Sequence, residues 1–327
     1  MKYKPLIEVG TGKPQYSGIY TFMHLPHVKT FEEVDYAIIG VPFDTGVSYG
    51  IGARFGPSAI RTMSQRIMPI SRHHAVNTSD YLSGIDYGDL TVYPGYIEQT
   101  YKAIEEQLTP IFEAGIVPIM LGGDHSISLP HLRAAAKQHG PVALVHFDSH
   151  TDTGRSATPE RMWNHGCVFS YAVDEGLVDP HHSIQMGMRG SAYAANMLEE
   201  SRAMGFEVMT TDDVKTISIP ELCRKIKERV GDRPVFLTFD VDFLDPVYAP
   251  GTGTPEVGGF STSEAQQMLR GLAGIDFIGF DLVEVLPDRD ASYVTALNAA
   301  NIAFEFVALL AASRRLHVLE ENQAEAI

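Results

Sequence analysis

Val142-Ala143-Leu144-Val145-His146-Phe147-Asp148-Ser149-His150-Thr151-Asp152 is an apolar run that ends abruptly in carboxylates and imidazoles. Its apolar part is nearly continuous, the pattern of a strand covered by helices on both faces. Two other stretches end in the same way. Ile119-Met120-Leu121 passes through Gly122-Gly123 into Asp124-His125, and Val235-Phe236-Leu237-Thr238-Phe239 passes into Asp240-Val241-Asp242. In an open parallel sheet the carboxyl ends of the strands border the ligand crevice, so three such ends can furnish one pocket.

Outward from these runs the chain alternates short β-branched segments with longer helical patterns. Strands are predicted at 36–41, 116–121, 142–147, 183–188, 235–239 and 277–283, and helices at 57–64, 96–114, 129–137, 219–230, 263–272 and 296–312. Consecutive β-α units of this kind imply the α/β class with a mostly parallel sheet. No repeat or Pro/Ser linker divides the chain. Residues 1–33 read as an irregular arm that covers the domain or contacts a neighbouring subunit, and residues 34–327 as a single catalytic domain.

Composition removes several function classes. Lys+Arg total 25 against Asp+Glu 41, a net charge of −16 that opposes a phosphate backbone and excludes nucleic acid as a partner. Hydrophobic residues make up 44% of the 327, so the acids belong to a folded protein. Cys167 and Cys223 alone can form neither a disulfide framework nor a zinc site, which suits a reducing compartment. No apolar stretch of signal length follows Lys2 and Lys4, and the apolar run 299–312 is broken by Asn301 and Glu305. The expectation is a cytoplasmic protein with no membrane association.

Side chains at i, i+2 and i+4 of an extended chain project to one side, so Asp148, His150 and Asp152 can converge, as can Asp240 and Asp242. Gly122-Gly123 would let the backbone turn tightly and present His125 there. Carboxylates gathered in one pocket cannot all stay ionised without a compensating cation. An oxygen-rich set with no thiolate favours Mn²⁺ over Zn²⁺, with Ni²⁺ or Co²⁺ left open. The surplus of ligands over one tetrahedral ion points to two ions about 3.5–4 Å apart that share ligands and a bridging water. His146 has the parity of Asp148 but lies inside the apolar run, where a supporting histidine fits better than a ligand.

With these residues in view, the sequence resembles the ureohydrolase (arginase and agmatinase) family. Gly122–Ser126, His146–Asp152 and Thr238–Pro246 match the family's three metal-binding motifs in order and separation. Gly40–Asp44, Gly56-Pro57 with Ile60-Arg61, and Pro250–Pro255 extend the likeness over residues 34–310. The resemblance implies a three-layer α/β/α domain around a parallel sheet of about eight strands, with a binuclear manganese centre at one sheet edge. One implied ion takes His125, Asp148, Asp152 and Asp240, and the other takes His150, Asp148, Asp240 and Asp242, while Asp124 and Asp245 supply supporting hydrogen bonds.

The same resemblance assigns His165 as proton shuttle, Glu284 as the carboxylate that pairs with a guanidinium, and Asp152 as a stabiliser of the reacting centre. It implies a small guanidine substrate and a homo-oligomer, trimeric or hexameric. The loop 153–164 departs from the arginase pattern, and the motifs at 148–153 and 250–255 resemble those of agmatinases, which implies hydrolysis of agmatine to putrescine and urea. Guanidino acids such as 4-guanidinobutyrate or 3-guanidinopropionate, or small guanidines, are the alternative, with Arg155 or Arg161 to meet a carboxylate tail. Trp163 and Met162, beside His165, are candidate walls for the tail and equally candidate packing residues. A metal-binding relative without turnover would be expected to have lost ligands or the shuttle, and a mononuclear zinc deacetylase would need fewer ligands than this chain carries.

Overall fold

The structure is a computed structural model that describes residues 1–6, 14–156, 158, 162–192 and 194–325. Its strands, in chain order, are β1 (Tyr36–Val41), β2 (Ile70–Ser71), β3 (Val76–Asn77), β4 (Gly84–Asp89), β5 (Val117–Gly122), β6 (Ala143–Phe147), β7 (Ile184–Met188), β8 (Glu207–Thr210), β9 (Val235–Asp240) and β10 (Phe277–Val283). β2 and β3 form a small antiparallel ribbon. The other eight make one parallel sheet in the spatial order β4-β1-β5-β10-β9-β6-β7-β8.

The helices are α1 (Gly56–Met63), α2 (Thr78–Tyr81), α3 (Ile97–Glu113), α4 (Ser128–His139), α5 (Val168–Asp174), α6 (Met197–Met204), α7 (Thr211–Lys215), α8 (Ile219–Val230), α9 (Thr262–Arg270) and α10 (Val294–Glu325). They cover both faces of the sheet. Ile38, Val145, Phe147, Leu237 and Phe239 face one core with Ile60 of α1, Ile226 of α8, Met268 of α9 and Phe306 of α10. Their alternate neighbours Ala37, Ile39, Leu144 and Phe236 face a second core with Leu108 of α3, Leu132 of α4 and Phe169 of α5. Period-two alternation of apolar residues into two dry layers explains the unbroken apolar runs of the central strands.

Besides the short β2-β3 ribbon, two strands of the parallel sheet were not predicted, and they lie at its opposite edges. β4 reads Gly-Ile-Asp-Tyr-Gly-Asp, and β8 is four residues long. The polar groups of β4 are committed to tertiary partners: Asp86 accepts from Arg61 Nε at 2.8 Å and from the Phe22 N–H at 2.8 Å. The described part of the N-terminal arm runs along this edge, where the Gly84 N–H donates to Tyr3 O at 3.0 Å and the Asp86 N–H to Pro26 O at 3.0 Å. An edge strand's unpaired groups are covered in this way. α10 outruns its predicted end at Ala312, where Arg314 pairs with Asp35 and Arg315 Nη1 donates to the His74 carbonyl at 3.0 Å. Its span Ala291–Leu319 is long and apolar enough to cross a membrane by composition, yet Ala299, Ile302, Ala303, Phe306 and Leu309 are packed into the core.

Candidate metal centre

Four adjacent strands, β5, β10, β9 and β6, deliver their carboxyl ends to one spot. After three of them the chain turns in the same way, with an aspartate accepting the N–H two residues on. Asp124 Oδ1 accepts from the Ser126 N–H at 2.9 Å, Asp148 Oδ1 from the His150 N–H at 2.6 Å, and Asp240 Oδ1 from the Asp242 N–H at 2.8 Å. Aspartate is favoured here because its short carboxylate mimics a backbone turn. The strand of β6 therefore ends at Phe147, and Asp148, His150 and Asp152 meet through a turn, with Asp152 at φ 49°, rather than through strand alternation. Gly123 is required for a close approach rather than a turn: a Cβ there would lie 2.0 Å from the Phe43 carbonyl oxygen.

Capping with one oxygen leaves the second oxygen of Asp148 and of Asp240 to face the site. Asp148 Oδ2, Asp152 Oδ2 and Asp240 Oδ2 surround His125 Nδ1 at 3.1, 3.0 and 3.5 Å. That nitrogen is buried and has no hydrogen-bond partner. On the far side of Asp148, His150 Nδ1 lies 3.5 Å from Asp148 Oδ1 and 3.1 Å from Asp242 Oδ2. Lone pairs converging on two points of a buried, anionic site are the donor set of divalent cations, so the residues present fit two ions. Both oxygens of Asp124 are taken, by the Ser126 and Gly46 N–H groups, and Asp245 accepts from the N–H groups of Val247, Gly258 and Gly259.

Electrostatics agree with a cation. Burial, then the charges of Asp242 and Asp148, push Asp240 well above the usual carboxylate range, and burial with Asp148 raises Asp242 as well. Burial would also raise Asp148, but His146 beside it, with the imidazoles of His125 and His150 facing it, holds it well below. His125 and His150 are raised in spite of burial, because carboxylates face them. His146 is a supporting group by geometry: Gln185 Nε2 donates to its Nδ1 at 3.0 Å, so its Nε2–H donates to Asp148 Oδ2 at 2.8 Å.

Glu284 follows β10 at φ 65°, a left-handed conformation that a non-glycine residue adopts at a cost. Its Oε1 accepts from the His125 N–H at 2.9 Å and from His165 Nδ1 at 2.8 Å. Its Oε2 is buried and unpartnered. The other His165 nitrogen, Nε2, accepts the Ser48 N–H at 3.0 Å and lies 2.7 Å from Ser48 Oγ. Burial opposes charge on His165, while Glu284 pushes its pKa up to about 9. A cavity of about 470 Å³ opens beside His150, lined by Ser149, Met188, Ser191, Leu198 and Asp212, which is room for a small alkyl tail.

Trp163 is placed apart from this constellation. Its ring packs against Tyr101 and Tyr171 at centroid distances of 5.8 and 5.1 Å, under the Arg133 guanidinium. Those contacts pack it between α3 and α5. Met162, just before it, is half-buried. Arg155 is paired with Asp174, and Arg161 lies outside the described residues. Sequence reasoning missed Ser48, Gln185, Thr238 and Asp281, each a single polar residue whose spacing carries no pattern.

A sequence model described as the arginase family matches residues 34–309, most of the chain. The chain belongs to the arginase family. Guanidinobutyrase of Pseudomonas aeruginosa is 40% identical over 304 residues, covering 92% of this chain and 95% of that protein. Mitochondrial agmatinase of Gallus gallus is 42% identical over 293 residues, 90% of this chain and 86% of that protein. Among solved structures, proclavaminate amidino hydrolase from Streptomyces clavuligerus superposes with a TM-score of 0.89 at 36% identity, covering 92% of this chain and all of that one. Trypanosoma cruzi formiminoglutamase with Mn²⁺ superposes with a TM-score of 0.80 at 25% identity, covering 89% and 98%. This arginase-family chain is thus a hydrolase of C–N bonds that acts on small guanidino compounds, and the family is binuclear and metal-dependent.

Proposed function

We propose that the chain hydrolyses an alkylguanidine to urea and an amine, with agmatine as the first substrate and putrescine as its amine product. The observation that carries the reading is the unpartnered Glu284 Oε2, buried within the same constellation as His125 Nδ1. A planar guanidinium supplies the N–H donors that such an oxygen lacks. One ion would be held by His125, Asp148, Asp152 and Asp240, and the other by His150, Asp148, Asp240 and Asp242, with Mn²⁺ as the assigned metal. Bound there, the pair supplies a water of lowered pKa as nucleophile.

The chain's own residues do the rest. Glu284 orients the guanidinium and neutralises its charge, Asp152 contributes negative charge beside the reacting carbon, and His165 moves a proton to the leaving nitrogen, a role suited to imidazole. The balance closes without an added acid or base: an alkylguanidinium and one water give urea and an alkylammonium. A second substrate reading, a guanidino acid such as 4-guanidinobutyrate, is favoured by relatives named guanidinobutyrase and guanidino acid hydrolase at similar identity. Urea release from agmatine, 4-guanidinobutyrate, 3-guanidinopropionate, arginine and guanidine, with Mn²⁺ and Ni²⁺ in parallel, tests both. Highest kcat/KM on agmatine supports the first reading, on a guanidino acid the second, and no urea from any of them refutes the activity.

A further inference from the structure

Behind His125, on the side away from the centre, lies a fully buried polar chain inside an otherwise apolar layer. His125 Nε2 is 2.8 Å from Thr238 Oγ1, and the Thr238 hydroxyl in turn contacts Asp281 Oδ1. The second Asp281 oxygen accepts from Ser128 Oγ at 2.6 Å, and His131 Nδ1 stands 3.8 Å from it. Thr238, Asp281 and Ser128 are completely buried. Thr238 on β9 and Asp281 on β10 are direct neighbours in the parallel register, so the backbone ladder fixes their separation.

Proton counting gives this chain a direction. A carboxylate only accepts, and a threonine hydroxyl has one proton, so that proton points to Asp281. Toward His125 the hydroxyl then offers a lone pair, which requires a proton on Nε2. The remaining lone pair of the ring is on Nδ1, the buried atom that faces Asp148, Asp152 and Asp240. Burial pushes the Asp281 carboxyl up, but His131, His125 and the Ser128 hydroxyl together offset this and leave it below its ordinary range.

We infer that Thr238 and Asp281 are positioning residues: together they lock His125 in the tautomer and ring orientation that point its Nδ1 lone pair at the metal position. An outer partner of this kind also makes the imidazole a stronger ligand. The inference rests on the metal-centre reading above and is independent of the substrate.

Mn²⁺ titration of the full chain, read by calorimetry and by the electron paramagnetic resonance of free Mn²⁺, tests it. Thr238→Val removes the lone pair at nearly constant volume and should weaken binding of one ion about 10- to 100-fold, while Thr238→Ser keeps it within about threefold of wild type. Asp281→Asn should shift affinity in the same direction by a smaller factor. Wild-type affinity for both ions in Thr238→Val would overturn the relay, whereas a wild-type chain that takes up no Mn²⁺ would overturn the centre on which it rests. Should the variants not fold, neutron diffraction from the Mn²⁺-loaded wild type decides. A Thr238 deuteron on the Asp281 side supports the relay, and one directed at His125 refutes it.

Discussion

His125 and His150 approach the same Asp148 from opposite sides, and their surroundings differ sharply. The His125 side chain is 1% exposed and is backed by Thr238 and Asp281 on two central strands, whereas that of His150 is 31% exposed and borders an open cavity. One ring is oriented by the core of the sheet, the other by a turn at its rim. The difference teaches that one cluster can draw one imidazole from the buried centre of the sheet and another from its rim beside a cavity. Asp148 is the element common to both halves, since one oxygen faces each ring.

The sharpest way to break the comparison is therefore Asp148→Asn. It should weaken binding of both ions at once and lower turnover by more than about a thousandfold, because one of the two carboxylates shared by both ion positions, Asp148 and Asp240, is lost. Metal analysis and a urea assay check this, and a variant that keeps two ions and near-normal turnover would show that Asp148 bridges nothing.

His165→Ala acts beside the His125 half without touching a proposed ligand. The expected outcome is a loss of about 10²- to 10⁴-fold in kcat with metal content unchanged, measured by steady-state kinetics on metal-analysed protein. Unchanged kcat would remove the shuttle role.

pH separates the halves from the metal. In protein stripped of metal, a proton on His125 and on His150 stands in for a cation, and both pKa values are raised above the ordinary 6.5. A histidine raised on folding stabilises fully below its unfolded pKa of about 6.5 and loses that stabilisation as pH climbs through the folded value. His165, at about 9, follows the same sign. The melting temperature of the EDTA-treated chain should thus fall from pH 6.5 to pH 9 and beyond. The Mn²⁺-loaded chain should stay flatter, because metal has displaced the protons on His125 and His150. Parallel melting curves for the two forms would contradict the assignment.

Trp163→Leu carries the smallest effect and tests which region that ring serves. Loss of its contacts with Tyr101 and Tyr171 should cost about 1–3 kcal/mol in chemical denaturation and leave KM within about twofold. A tenfold rise in KM at unchanged stability would return Trp163 to the substrate wall.

How much of this was legible in the sequence follows from what each residue borders. β1 and β10 were predicted at their observed bounds because helices cover both of their faces and leave a nearly continuous apolar run. β4 and β8 were not, because edge strands carry Asp86, Asp89 and Glu207 whose partners are distant in sequence or at the surface. At the centre, Asp148, Asp240 and Asp124 stood out as carboxylates ending apolar runs, and the repeated turn explains their spacing. Thr238 and Asp281 sit inside such runs, where a lone polar residue is indistinguishable from a tolerated one until its neighbour strand is known. For Trp163 the sequence offers only proximity to His165, and the aromatic packing with Tyr101 and Tyr171 of α3 and α5 is legible only once those helices are placed.

Anomalous diffraction at the manganese edge from crystals of the Mn²⁺-loaded wild-type chain tests the central claim most directly. Two peaks about 3.5–4 Å apart, one against His125 Nδ1 and one against His150 Nδ1 with Asp148 between them, are the predicted result. A single peak, or none within reach of those nitrogens in metal-saturated protein, would contradict it.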